Sequence, residues 1–299
     1  MYAITGASGH IGKAIAIELL SKGKKIRAIS RNADHLKDIT IKGGEACIGD
    51  LYDSAFVQKA FAGCEAVFCM IPPNMQSPDF KRDQERIVTN FVQSVKANNI
   101  KYIVLLSSIG AHLRKGAGIV DGLGYLEERF SELKDINVIN LRCGYFMENI
   151  LGQLEMIKQT GLMGSSIKGD IAFPIVATKD IANVAVKWLL NLNFKGNTIQ
   201  YVLGQRDIAY NEITQVVGNA IGNHDLRYVQ YSYEDAENGM IHAGFSKNVA
   251  HLMQGLAEAF NSGKALNAHT RTRDNSTPTS LEEFVKSLKI KKRLADMHV

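Results

Sequence analysis

Three glycines spaced by three, Gly6, Gly9 and Gly12, lie in "AITGASGHIG" between a short apolar run and a segment of helical periodicity. Glycines at such a turn do distinct jobs. Gly6 permits a tight turn, Gly9 lets the backbone approach a pyrophosphate, and Gly12 lets helix and sheet pack closely. The helix that follows offers unpaired N–H groups and a partial positive charge to phosphates. Ser8 and His10 can add hydrogen bonds, and Ile11 sits on the same turn. Because the glycines follow a strand and open a helix, a dinucleotide site is expected.

The end of the second strand selects the dinucleotide. A carboxylate about 20 residues beyond the glycines would hold a ribose 2′-hydroxyl. Here the chain reads Ser30-Arg31-Asn32, with no carboxylate until Asp34. Arg31 can grip a 2′-phosphate through its planar fork, so NADP(H) is favoured over NAD(H). Asp50, after the third strand, can accept from an adenine amine or cap the next helix. Met70, Ile71 and Pro72 end the fourth strand and should form an apolar wall over ribose and nicotinamide.

The elements that must position these residues alternate. Strand runs at 2–5, 26–30, 45–50, 66–71, 102–108 and 138–142 are separated by helical segments at 13–23, 33–39, 53–61, 80–98 and 126–133. "AVFCMI" and "YIVLLSS" are continuous apolar runs, as strands covered on both faces should be. Such alternation predicts an α/β Rossmann fold with a doubly wound parallel sheet, because each parallel crossover needs a covering helix. After Gly144 the rhythm breaks. A helix over 145–161, a Gly/Ser-rich turn over 161–169, a strand in "IAFPIV" and a capped helix from Thr178 are expected. "TIQYVLG" reads as a seventh strand, followed by helices at 211–221 and 249–261 with a strand at 226–231 between them. The division is therefore a Rossmann domain over 1–144, completed by about 173–203, and a smaller α+β part from 145–172 and 204–299.

Composition excludes several classes. The 35 basic and 30 acidic residues give +5, too small and dispersed a charge to imply nucleic acid. The densest basic run, "KIKKRLADMHV" from Lys289, reads as a solvated terminal face. No stretch is long and apolar enough for a membrane helix, and the first strand follows Met1 too closely for a signal peptide. Cys47, Cys64, Cys69 and Cys143 form no CxxC pair and read as small buried hydrophobes of a reducing cytoplasm, without disulfides or structural zinc.

Taken together, "TGASGHIG", "GDLYD", "SSIGAH", "LRCGYFMENIL", "ATKDIANVA" and "TPTSLEEFV" resemble the NmrA-like branch of the atypical short-chain dehydrogenase/reductases across almost the whole chain. The resemblance implies an NADP(H)-binding Rossmann domain with a small carboxy-terminal substrate-binding part. It covers quinone reductases, phenylpropanoid reductases and regulators that sense the nicotinamide pool. It places Asp50 and Leu51 at the adenine, Ser107 or Ser108 near the nicotinamide, and Tyr145, Phe146, Met147 and Asn149 in the substrate cleft beside Cys143 and Gly144.

One feature of such reductases is missing. They use Tyr-x-x-x-Lys on the helix after the fifth strand, the lysine lowering the tyrosine pKa. This chain has Tyr125-Leu126-Glu127-Glu128-Arg129, and Gly124 stands where a reductase lysine would fall. An arginine does not replace that lysine. Tyr125 and His112 are left as candidate proton donors, with helix packing and an exposed loop histidine as the plainer readings of each. Epimerase and alcohol dehydrogenase chemistry is disfavoured. Quinone reduction stays open, since solvent can supply the proton and the protein need only hold the acceptor. The expectation is an NADPH-dependent reductase of quinones or other conjugated carbonyls; the alternative is an NADP(H) sensor acting through a protein partner. A homodimer fits either, and no metal is expected.

Overall fold

In the computed structural model of the chain, residues 1–288 are described; the basic run from Lys289 lies outside them. The amino-terminal elements are β1 (Tyr2–Ile4), α1 (His10–Ser21), β2 (Ile26–Ser30), α2 (Lys37–Thr40), β3 (Glu45–Ile48), α3 (Ser54–Phe61), β4 (Ala66–Cys69), α4 (Phe80–Ala97), β5 (Tyr102–Ser108), α5 (Asp121–Ser131) and β6 (Asn137–Cys143). Then follow β7 (Tyr145–Phe146), α6 (Leu154–Thr160), β8 (Leu162–Ser165), β9 (Phe173–Val176), α7 (Thr178–Asn191), β10 (Asn197–Val202), β11 (Asp207–Ile208), α8 (Tyr210–Ile221), β12 (Arg227–Gln230), α9 (Tyr233–His242), α10 (Lys247–Asn261) and α11 (Leu281–Ser287).

The expected doubly wound sheet is present. Seven strands run parallel in the order β10-β6-β5-β4-β1-β2-β3. Strand order reverses between β1 and β4, which opens the crevice where ligands of such sheets lie. Alternate side chains feed two cores. Ile4, Phe68, Val104 and Leu141 pack with Ile15 and Leu19 of α1 and Ile181 and Leu189 of α7 on one face. Val67, Ile103 and Leu105 pack with Phe61 of α3, Ile87 and Phe91 of α4 and Phe130 of α5 on the other. Each fully buried side chain of this size contributes on the order of 1.5–3 kcal/mol, so the periodicity that predicts these helices also holds them to the sheet.

A third core gathers Met147, Ile150, Met163, Phe173, Tyr210, Val217, Phe260 and Phe284 from the carboxy-terminal part. It surrounds two small sheets, β11-β9-β7 and β12-β8. Several expectations fail here. Residues 145–161 are not one helix: β7 pairs with β9, a 3₁₀ segment follows over Met147–Gln153, and only then comes α6. The cause is close approach, since a Cβ on Gly144 would lie 2.6 Å from the Pro174 carbonyl oxygen. The chain is therefore held extended against β9 before it can coil. The Gly/Ser-rich turn contains β8, which pairs in parallel with β12. Neither α9, which buries no residue, nor α11 has an apolar stripe long enough to be read. The helix expected from residue 126 starts at Asp121.

Capping also differs. The acid that caps α3 is Asp53, accepting from the Ala55 and Phe56 N–H groups, whereas Asp50 only accepts from Tyr52 N–H. Thr178 is the first residue of α7 rather than its cap; Ala177 holds the N-cap position and no side-chain cap is made. The Glu148 carboxylate accepts from the Thr178 N–H at 3.1 Å and hydroxyl at 2.6 Å, tying α7 of the large sheet to the 3₁₀ segment after β7. The four cysteines are free; Cys64, Cys69 and Cys143 are buried and Cys47 half-buried. Among the described residues no helix is long and apolar enough to cross a membrane.

Candidate functional site

Thr5 fixes the mouth of the crevice. Its hydroxyl bonds the Phe68 and Met70 carbonyls and accepts from Met70 N–H at 2.8 Å, locking the ends of β1 and β4 together. The chain then turns at Gly6, whose φ of +62° lies in the left-handed region open to glycine. A Cβ on Gly6 would also meet the Met70 sulfur at 2.4 Å. A Cβ on Gly12 would stand 2.3 Å from the Gly6 carbonyl oxygen, so α1 can sit this close to the turn only with hydrogen at that position. Gly9 is the N-cap of α1 and supplies no side-chain cap. The first N–H groups of α1 are thus left to a ligand, and their dipole favours an anion. This arrangement fits a dinucleotide pyrophosphate. Ser8 and His10 are exposed at the turn, while the Ile11 side chain is buried in the sheet core, so Ile11 has only its N–H to offer.

Arg31, at the end of β2, is exposed and makes no hydrogen bond or ion pair among the described residues. Beside it stands Tyr52. Burial, then the carboxylate of Asp83, push the Tyr52 phenol up to about 12, with Arg31 opposing. The Arg86 guanidinium lies 5.5 Å from the Tyr52 ring centre and its Nε donates to the Tyr52 carbonyl. Asn90 similarly holds the Leu51 carbonyl at 2.8 Å, and Leu51 is buried. Asp50 is exposed at this end of the crevice. Ile71 is buried, and Met70 and Pro72 are half-buried. The loop after them is pinned to the carboxy-terminal part: Ser246 N–H donates to the Met75 carbonyl and Phe80 N–H to Asn248 Oδ1.

The serine pair of β5 is split by the sheet. Ser107 is 2% exposed, and its hydroxyl donates to Glu127 Oε1 at 2.5 Å. It is thereby turned into the interior rather than toward the crevice, and Ser108 is the half-buried member of the pair. Glu127 in turn accepts from one edge of the Arg142 guanidinium, from Nε at 3.0 Å and Nη2 at 2.6 Å. Arg142 also donates to the Tyr201 hydroxyl at 3.0 Å. Burial opposes the Arg142 charge, but Glu127 more than compensates and holds its pKa above the usual arginine range. Sequence reasoning missed this cluster. Its trace was a carboxylate and an arginine at positions of "LGYLEERF" and "VINLRC" that otherwise face the core.

Both candidate proton donors have partners elsewhere in the chain. Tyr125 packs against the core beneath α3 and α4. Arg129, four residues on, is ion-paired with Glu132. His112 is half-buried rather than exposed, with Nε2 3.1 Å from the Lys264 carbonyl. Gly124 has no room for a lysine: its Cβ would stand 2.6 Å from the Ala111 carbonyl oxygen.

The four cleft residues do come together. Tyr145, Phe146, Met147 and Asn149 line one small cavity, which Met163 and Tyr210 help to enclose. Phe146 and Met70 both pack on the core of the large sheet. Tyr210 and Met163 carried no local signal, because both reach the cavity from elements whose packing sets their direction. No group of three His, Cys, Asp or Glu side chains able to hold a metal occurs among the described residues.

Comparison with known proteins agrees with this geometry. Residues 6–127 match the family described as NAD(P)H-binding, and that segment is an NAD(P)H-binding domain. Over 86% of its length the chain is 24% identical to an NAD(P)H azoreductase of Xenophilus azovorans, covering 86% of that protein. An NADPH-dependent quinone oxidoreductase of Escherichia coli, solved with NADPH, superposes with a TM-score of 0.79 at 21% identity, over 96% of this chain and 99% of that one. A nucleoside-diphosphate-sugar epimerase structure from Staphylococcus aureus gives 0.80 at 19% identity, over 95% and 99%. At these identities the structural likeness establishes the shared fold.

Proposed function

We propose that this NAD(P)H-binding chain is an NmrA-like, NADPH-dependent reductase of quinones or related conjugated acceptors such as azo compounds. The observation that carries the reading is the aromatic and apolar cavity beyond β6, on a fold with Arg129 in place of the usual proton-transfer pair's lysine and no room for a lysine at Gly124. In this reading Gly6, Gly9, Gly12, Ser8 and His10 hold the pyrophosphate, Arg31 the 2′-phosphate, and Asp50 and Leu51 the adenine. Met70, Ile71, Pro72 and the end of β5 border the nicotinamide. Bound there, the reduced dinucleotide supplies a hydride. What the chain's own residues do is hold a flat acceptor between Phe146, Met147 and Tyr210 and exclude water from it, a matter of proximity and orientation. The azoreductase and the quinone reductase among the similar proteins support this acceptor class, and the missing Tyr–Lys pair argues against epimerase chemistry.

The test is NADPH oxidation that depends on an added quinone or azo dye, with NADH far less effective. Absence of turnover across a panel of both would overturn the reading. The same lack of room at Gly124 supports a second reading, a sensor that binds the cofactor and a protein partner. A sensor must bind the two redox forms unequally. Equal affinity for NADP⁺ and NADPH would exclude it.

A further inference from the structure

We propose that the phenol of Tyr145 is the proton donor to the acceptor's oxygen, positioned by Tyr210; this rests on the reductase reading. Tyr145 stands on the cavity wall at the first residue of β7, and its register against Ile175 of β9 sets the direction of the ring. The ring is held edge-on by Phe173, centroids 5.6 Å apart, and by Tyr210 at 6.3 Å. Tyr210 is held in turn by its stack on Tyr228, 4.9 Å between centroids and 14° between planes.

The direction of the hydrogen bonding makes Tyr145 a donor. Tyr210 O–H donates to Tyr145 Oη at 3.1 Å, and the Asn149 side chain bonds the same oxygen. A phenol whose oxygen is taken by bonds from its neighbours is arranged to donate its own proton to whatever fills the cavity it lines. Burial raises the Tyr145 pKa, while bonds from Tyr210 and Asn149 act to lower it. Tyr210 is pushed well above the usual tyrosine value, by burial first and then by Tyr145, so of the two it is suited to positioning.

The step balances for a quinone. Hydride addition reduces the acceptor by two electrons and oxidises the nicotinamide by two. The Tyr145 O–H bond breaks as an O–H bond to the acceptor's oxygen forms, giving the hydroquinone. The phenolate regains its proton from solvent at the exposed Asn149 end of the cavity.

Tyr145→Phe and Tyr210→Phe test this with two readouts. Without cofactor, calorimetric affinity for anthraquinone-2-sulfonate should fall about fivefold in Tyr145→Phe, the loss of one hydrogen bond. With NADPH and a quinone, kcat should fall about 100-fold, with the solvent isotope effect abolished. Tyr210→Phe should weaken affinity less, and the double variant should lose no more than Tyr145→Phe alone, a non-additivity that general loosening would not produce. A Tyr145→Phe protein with unchanged anthraquinone affinity, or one with unchanged kcat and isotope effect, overturns the proposal; so does a wild type that binds no anthraquinone. If the wild type binds but never oxidises NADPH, the reductase reading fails, and the affinity difference still decides whether Tyr145 donates.

Discussion

The turn after β1 and the cavity beyond β6 meet a ligand in different ways. At the turn the available groups are backbone: the uncapped N–H groups of α1, brought close by a Gly12 that has no space for a Cβ. At the cavity they are side chains, Tyr145, Phe146, Met147 and Tyr210, drawn from β7, a 3₁₀ segment and α8. A backbone site depends on where glycine occurs, so its specification is local. A side-chain cavity depends on how distant segments pack, and β7, β9 and α8 must all be in place before it exists. The first arrangement suits a group shared by many ligands, such as a phosphate. The second can be altered one side chain at a time to suit one acceptor.

The largest effect should come from the cluster that joins the two regions. Glu127 links Ser107, near the cofactor crevice, through Arg142 to Tyr201, whose ring lies 5.3 Å from that of His269 in the carboxy-terminal part. Glu127→Ala leaves a buried guanidinium without its anion and should cost about 3–5 kcal/mol in urea unfolding. A loss below about 1 kcal/mol would mean that Tyr201 alone satisfies Arg142. Next in size, Gly12→Val forces α1 away from Gly6. It should cost about 1–3 kcal/mol and abolish measurable NADPH binding, while anthraquinone-2-sulfonate affinity stays within about twofold. Equal losses at both sites would break the contrast drawn between them.

Arg31→Ala sharpens the contrast within the cofactor site. Removing one charge-assisted contact should weaken NADPH roughly tenfold and leave NADH unchanged. Parallel losses for the two cofactors would show that Arg31 does not read the 2′-phosphate. The smallest effect concerns the carboxy-terminal part. Burial holds the His269 pKa below its ordinary value; Asp207 opposes this, and Arg271 and His112 reinforce it. The unfolded chain therefore takes up a proton near pH 6.5 that the folded chain resists, and stability should fall as pH drops below about 6.5. His269→Gln should flatten the unfolding midpoint between about pH 7 and 5.5. An unchanged slope would place the acid sensitivity elsewhere.

Legibility followed the same division. β4 and β5 were readable because all four residues of "AVFC" and five of the seven in "YIVLLSS" are buried, and only strands covered on both faces need such runs. α4 was readable because Phe80, Ile87, Val88, Phe91 and Val95 recur on one face. Residues 145–161 were misread for a reason of scale. A strand of two residues has no period, and what holds it extended is the Pro174 carbonyl beside Gly144, thirty positions away. Of the two candidate proton donors, Tyr125 follows its plainer reading, helix packing. Sequence offered Tyr125 and His112 as polar groups near the fifth strand, and packing turned Tyr125 onto a core and His112 onto the Lys264 carbonyl.

By itself, then, the sequence determined the parallel sheet, its order of helices and the glycine turn, because periodicity and glycine spacing act within a few residues of where they are written. Tertiary structure alone decided which side chains share a cavity, that Ser107 serves the Glu127–Arg142 pair, and that the Tyr145 and Tyr210 hydroxyls are bonded to each other at that cavity. Those outcomes turn on distances between segments far apart in the chain, fixed only when the sheets and helices close on one another.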